Sequence, residues 1–146
     1  VLSKRYGFIV QGGERNLLTN ADMTIYNKVF DSATKTNKYN RTQVTEINWH
    51  NDLGTVMASG TVTQKDMFKI RTDNYEKFLP AAEYLALADK TGFWTVQRDD
   101  VIAKGLLTTE ITGIATLQAL KADCFRVTSY SDNRRGGIPN IRIGGE

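Results

Sequence analysis

The stretch TGFWTVQRDDVIAKG, residues 91–105, sets two adjacent acids, Asp99 and Asp100, between apolar runs. A carboxylate pair can work on a glycosidic bond only when both groups face one substrate, about 5–10 Å apart. Neighbours on an extended strand point to opposite faces, so the pair cannot converge there. Aspartate also favours turns, because its carboxylate bonds its own backbone. The pair therefore reads as the turn of a hairpin, between a strand through Trp94 and Val96 and a second over 101–105. A metal site fares no better. Zinc ordinarily takes two or more His or Cys ligands, and the chain has one of each, His50 and Cys124. A Ser-His-Asp triad has no GxSxG element to start from. Cys124, inside ADCFRVTSY, reads as a small buried hydrophobe.

Phosphate-cradling motifs are missing too. The glycine pairs at 12–13, 136–137 and 144–145 occur neither as GxGxxG nor before GK[ST], so they read as turn formers. No catalytic residue, cofactor or metal is expected, and the chain is not expected to be an enzyme. One cluster has binding chemistry. SDNRRGGIPNIR places Arg134 and Arg135 at a Gly-rich loop, with Arg142 beyond. Arginines beside backbone amides can hold phosphate oxygens, although the aromatic interleaving of a single-strand platform is lacking. A solvated turn and a subunit-contact loop are the alternatives for the same residues.

The elements that must position these groups are mostly strands. DMTIYNKVFD (22–31) alternates, with Ile25 and Val29 on one face and Tyr26, Lys28 and Phe30 on the other. SATKTNKYN (32–40) reads as a polar loop. In RTQVTEINWH (41–50), Thr45, Ile47 and Trp49 share a face opposite Val44 and Glu46. Residues 51–66 are the most loop-like interior stretch. MFKIRTD (67–73) is a strand with Phe68 and Ile70 inward. NYEKFLPAAEYLALADKTG then turns Ala- and Leu-rich and predicts a helix of about ten residues, with Pro80 in its first turn and Ala82, Leu85 and Ala86 on one stripe. Strand composition returns at 92–96, 101–113 and 124–132, with a second short helix over ATLQALKAD that Thr116 could cap. Ile141 and Ile143 alternate in a last strand. Short, locally linked strands point to a mainly β fold, a small antiparallel β-barrel or sandwich with one or two short helices. Residues 1–16 read as an N-terminal arm and 17–146 as one domain.

Composition bounds the function classes. At 146 residues, with 40% hydrophobic and 24% charged residues, the chain is an ordinary globular domain. No apolar run approaches the roughly 20 residues that span a bilayer, and the first residues are too short and polar a stretch for a signal peptide. A single cysteine fits assembly in a reducing cytoplasm. The net charge of +3 is unevenly spread. Residues 1–40 carry six Lys/Arg against three acids and 121–146 five against three, while 41–120 is slightly acidic. Basic ends suit phosphate or an acidic partner, or are simply solubilising charge.

Four stretches in this order, LLTNADMTIYNKVFD, YNRTQVTEINWH, FWTVQRDDVIAKGLLTTEI and the ending RIGGE, carry a resemblance. Together they resemble a family of small proteins encoded in tailed bacteriophages and prophages of Gram-positive bacteria, over about residues 17–146. The size and gene position of that family resemble those of head–tail connector components. The resemblance implies a virion protein of the neck, most of all a head-closure (stopper) ring, with a tail terminator or another neck or tail ring protein as the alternative. It implies a small β-barrel assembled as a homo-oligomeric ring, a hexamer or else a dodecamer, around the DNA channel, between portal or adaptor and tail proteins. On that analogy Gly54, Ser59, Gly60 and Lys65 lie on a loop that could reach the lumen, and Lys4, Arg5, Arg134, Arg135 and Arg142 are candidate contacts to DNA or a neighbouring ring. The competing class is a small monomeric nucleic-acid-binding barrel.

Overall fold

The computed structural model describes residues 18–51, 54–58, 61–65 and 68–146, with 54–58 and 61–65 described as backbone. Among these residues the chain forms, in order, β1 (Ala21–Asp31), β2 (Thr36–Asn51), β3 (Gly54–Ala58), β4 (Thr61–Lys65) and β5 (Phe68–Thr72). There follow α1 (Ala81–Leu85), β6 (Val101–Lys104), α2 (Ile114–Ala119), β7 (Cys124–Asp132) and β8 (Ile141–Gly145). Six strands close into an antiparallel barrel in the order β1-β2-β5-β8-β7-β6, with β6 returning to β1. The fold is mainly β with two short helices, the class that the alternating sequence pattern indicates.

Period-two alternation fills the barrel. Met23 and Ile25 of β1, Ile70 of β5, Ile102 of β6, Phe125 and Val127 of β7 and Ile141 and Ile143 of β8 all point inward, joined by Trp49 and Trp94. Phe125 meets Trp49 edge-on, with ring centroids 5.5 Å apart, and stacks on Phe68 at 5.2 Å. The interior is a packed core and not a pore, as expected for so few strands. β1 and β6 are buried on their outer face as well. There Tyr26, Val101 and Ala103 pack under Ile111 and Leu117, so the segment through α2 covers that side. Burial on both faces explains why VIAK lacks alternation.

One bulge sets the face of β2. Ala21 pairs with Ile47 but Met23 pairs with Val44, so Thr45 and Glu46 together face Asp22. Glu46 takes φ +61°, an unusual region for a residue with a side chain, and its N–H donates to Asp22 Oδ1 at 3.1 Å. The extra residue brings Val44, Ile47 and Trp49 all into the core and leaves Thr45 exposed. This corrects the expected faces, which grouped Thr45 with Ile47 and Trp49 and set Val44 opposite them.

Other local expectations also change. Residues 32–40 are not one loop: the turn spans 32–35 and β2 begins at Thr36. The 51–66 stretch is not all loop: its described residues include two strands. β3 and β4 pair antiparallel from Gly54↔Lys65 to Ala58↔Thr61, as a two-stranded sheet separate from the barrel. Ser59 and Gly60, between β3 and β4, lie outside the described residues, as do Lys4 and Arg5 and the whole 1–16 arm. α1 is five residues, not ten, and anchors through Tyr84 while Ala82, Leu85 and Ala86 are exposed. In α2 Gly113 holds the N-cap position, Thr116 lies inside the helix, and Leu117 is buried while Leu120 is exposed. Residues 92–96 form no ladder strand, only a bridge from Trp94 to Phe78.

Candidate functional site

Asp99 and Asp100 part company in the fold. Asp99 sits at the turn with φ +73°, and its N–H donates to the Val127 carbonyl. The turn expected from sequence is present, but the hairpin is not, because β6 pairs with β1 and β7 and not with 93–97. Asp100 is fully buried. Its Oδ1 accepts from the Lys28 N–H at 2.9 Å, and its Oδ2 accepts from Asn27 Nδ2 and the Gln97 N–H, each at 2.9 Å. Asn27 in turn clasps Thr95, donating to its carbonyl at 2.7 Å and accepting its N–H at 3.2 Å. The carboxylate thus stitches 95–100 to β1. It lies beneath an open cleft of about 510 Å³ whose lining includes Lys28, Lys90, Gln97, Asp99 and Asp100, but its oxygens are taken up by the three donors within the chain.

Burial pushes the Asp100 carboxyl up to about 6, against the opposing pull of its three hydrogen-bond donors. A folded value above the ordinary aspartate value means that the native state holds the proton more tightly than the unfolded chain. The stability tied to that proton is present below about pH 4 and is lost as pH rises through 6. Exposed Asp31, held at about 2 chiefly by its hydrogen bond from Lys38, acts oppositely and only in stronger acid. Thermal melts between pH 4 and 7 are therefore expected to show the melting temperature falling by about 5 °C, from on the order of 2 kcal/mol of linkage. A melting temperature flat or rising over that range contradicts the assignment.

The three C-terminal arginines do not converge. Arg134 is engaged twice within the chain: its guanidinium binds Asp132 in a bidentate pair, Nε to Oδ1 at 2.9 Å and Nη2 to Oδ2 at 2.8 Å. It also lies over the Phe78 ring, 5.0 Å from the centroid. Arg135 is exposed in the turn that follows β7. Arg142 lies elsewhere, on the outer face of β8. Its cross-strand partner is Arg71 on β5, and Ser131 of β7 flanks it on the other side.

Around that pair the barrel presents a cationic face. The outward row Asn48–Arg71–Arg142–Ser131 runs across β2, β5, β8 and β7, with the row His50–Lys69–Gly144–Ser129 beside it. An open cleft of about 390 Å³ is lined there by Lys69, Arg71, Arg142, Ser129, Ser131 and Gly144, among others. The side chains of Arg71 and Arg142 have no ion pair or hydrogen bond among the described residues. Like charges directly opposite on paired strands destabilise the pair, so this exposed rung concentrates positive charge at the cleft. A Cβ at Gly144 would meet Ser129 Oγ at 2.8 Å, so glycine lets the serine hydroxyl close over the floor of the cleft.

The sequence reading found Arg142 but missed Lys69 and Arg71. Their outward placement was implicit in MFKIRTD, where Phe68 and Ile70 point inward. His50 is exposed on the same face, opposite Lys69. Cys124 is half-buried against the outer apolar cluster, and burial pushes its thiol upward. Gly54 and Lys65 are paired with each other at the start of the β3–β4 ladder. Among the described residues, no group of three or more His, Cys, Asp or Glu could hold a metal ion. Among the described residues no helix is long and apolar enough to cross a membrane.

Residues 18–146 match the model of a family described as a family of unknown function, DUF6751. No curated protein and no solved structure matches the chain.

Proposed function

The chain belongs to the DUF6751 family, and we propose that it is a structural virion protein of a tailed bacteriophage, a head–tail connector of the head-closure type. In this reading copies assemble in the host cytoplasm into a ring at the neck, between portal or adaptor and tail, and DNA passes through the ring. The resemblance carried by LLTNADMTIYNKVFD and its companion segments supplies the class. The observation that carries the physical side is the β3–β4 hairpin. It forms a two-stranded sheet apart from the barrel and, among the described residues, pairs with no third strand. A two-stranded hairpin is marginal by itself in water, and open strand edges invite pairing with another chain. The far end of the β1–β2 hairpin, Asn27–Asp31 with Thr36–Asn40, also runs past the pairing to β6 and β5, so these two ribbon ends are the points of contact for a neighbouring copy or the lumen. Head-to-tail contacts of this kind close into rings.

The filled barrel interior adds a constraint. Trp49, Phe125, Ile143 and their neighbours leave no passage through one subunit, so a DNA channel has to run between copies. Native mass spectrometry of the full chain over a range of concentrations tests the assembly. Six copies of the 16.4 kDa chain, about 98 kDa, or twelve, are expected. A monomer at every concentration overturns the self-assembling ring. The cationic face favours one second reading, a monomeric nucleic-acid-binding barrel. A monomer that binds DNA with a steep salt dependence supports that instead.

A further inference from the structure

We propose that the outer face of β5–β8–β7 is a phosphodiester-binding site, with Arg71 and Arg142 as its paired anion ligands and Lys69 and Ser129 completing the cradle. This deepens the connector reading by naming the surface that meets the DNA backbone, and it rests on that reading only for the source of the DNA.

The geometry has three parts. Arg71 and Arg142 are direct cross-strand partners, which sets their Cα atoms about 5 Å apart. Their guanidiniums can therefore share one phosphate, and arginine's planar fork matches its oxygens bidentately. Lys69 is two residues along β5 on the same outward side, about 6.6 Å away by the rise of a strand, within reach of the next phosphate of a strand. Gly144 lies between Lys69 and Ser129, and its missing side chain leaves room for the hydroxyl of Ser129 to donate to an oxygen held by the arginines.

The surrounding acids do not neutralise the pair. Asp132, at the end of β7, is occupied by Arg134, and the Arg134 pair holds its carboxyl below the usual range. Backbone phosphate is favoured over base recognition. The cleft carries no aromatic stacking row, its one ring being Tyr130, and phosphate contacts need only charge and hydrogen-bond donors. The ligand class is accordingly duplex DNA, bound without sequence preference.

The test is fluorescence anisotropy of the full chain with a 30-base-pair duplex, titrated in salt from 50 to 200 mM. The two phosphate-neutralising arginines give a slope of log affinity against log salt near −1.8. The variant Arg71→Ala/Arg142→Ala is expected to lose at least tenfold in affinity at 50 mM and to flatten the slope by about 1.8. Removing two opposed arginines leaves the melting temperature unchanged or slightly higher. Gly144→Ala, which fills the floor, is the independent variant should the double one fold poorly, and is expected to weaken binding several-fold. Arg134→Ala is expected to leave the slope unchanged, because that side chain is already engaged. Equal affinity and slope for wild type and the double variant overturn the proposal. So does equally tight binding of polyglutamate of matched charge that displaces the duplex, which would make the face a site for acidic protein. Ring assembly is scored separately by mass, so a protein that binds DNA but stays monomeric fails the connector reading and leaves this site standing.

Discussion

Replacing Asp100 by alanine is expected to cost about 3 kcal/mol and to lower the melting temperature by about 10 °C. The change leaves three donors buried without an acceptor, the Lys28 and Gln97 N–H groups and Asn27 Nδ2. Each such group costs about 1–3 kcal/mol when stranded. The sum is reduced because the wild-type carboxylate is itself buried at an energetic disadvantage near neutral pH. Asp100→Asn should fall between the two. Its oxygen can serve Asn27 and Gln97, but its amide then faces the Lys28 N–H donor. The neighbouring Asp99→Asn should change stability by less than about 0.5 kcal/mol, because asparagine tolerates the left-handed backbone that Asp99 adopts. Urea melts of the three variants at pH 7 check the order. Equal effects at 99 and 100 contradict it.

Gly145→Ala is the second large effect. A Cβ there would lie 2.1 Å from the Arg126 carbonyl oxygen and 2.3 Å from the Phe125 ring. Neither can yield cheaply, since one is backbone and the other stacks against Phe68 in the core. The β7–β8 seam has to open, with a cost of about 3 kcal/mol or more. Gly144→Ala meets only the end of a serine side chain, which can rotate away at under about 1 kcal/mol. The adjacent pair thus separates a glycine required by the fold from one that shapes the cleft. Hydrogen exchange at β7 and β8 reads the difference. Protection lost in Gly145→Ala and kept in Gly144→Ala is expected, and equal protection in both contradicts the seam argument.

The same pair of positions indicates what was legible in the sequence. RIGGE shows a strand with inward isoleucines, but nothing local distinguishes the two glycines. Their roles depend on β7, brought alongside by closure of the barrel. Strand class and most strand positions were readable because alternation is a local signal. The 41–50 strand misled because the bulge at Thr45–Glu46 shifts phase, and no glycine marks it. The two strands within 51–66 were hidden by their small polar residues, which favour loops when judged without their partners. VIAK read as a hairpin arm because its burial on both faces depends on α2, which folds over it from downstream.

The acid pair and the basic cluster repeat the lesson at the level of the site. Asp100 looked like a turn residue because its partners, Asn27 and the Lys28 N–H, lie more than 70 positions earlier. Arg134 and Arg135 looked like the binding cluster because they are adjacent and beside glycines. The fold spends Arg134 on Asp132 and Phe78, and assembles the cationic face from Arg71 and Arg142, 71 positions apart. Proximity along the chain is a poor guide on a barrel, where β5 lies next to β8.

The most direct test of the connector reading is a reconstruction of the neck in purified phage particles that encode this chain. A ring of six or twelve copies between portal and tail is expected, each showing a six-stranded barrel with its β3–β4 hairpin directed to a neighbour or the lumen. Particles whose neck density contains no such barrel, and whose proteome lacks the chain, contradict it.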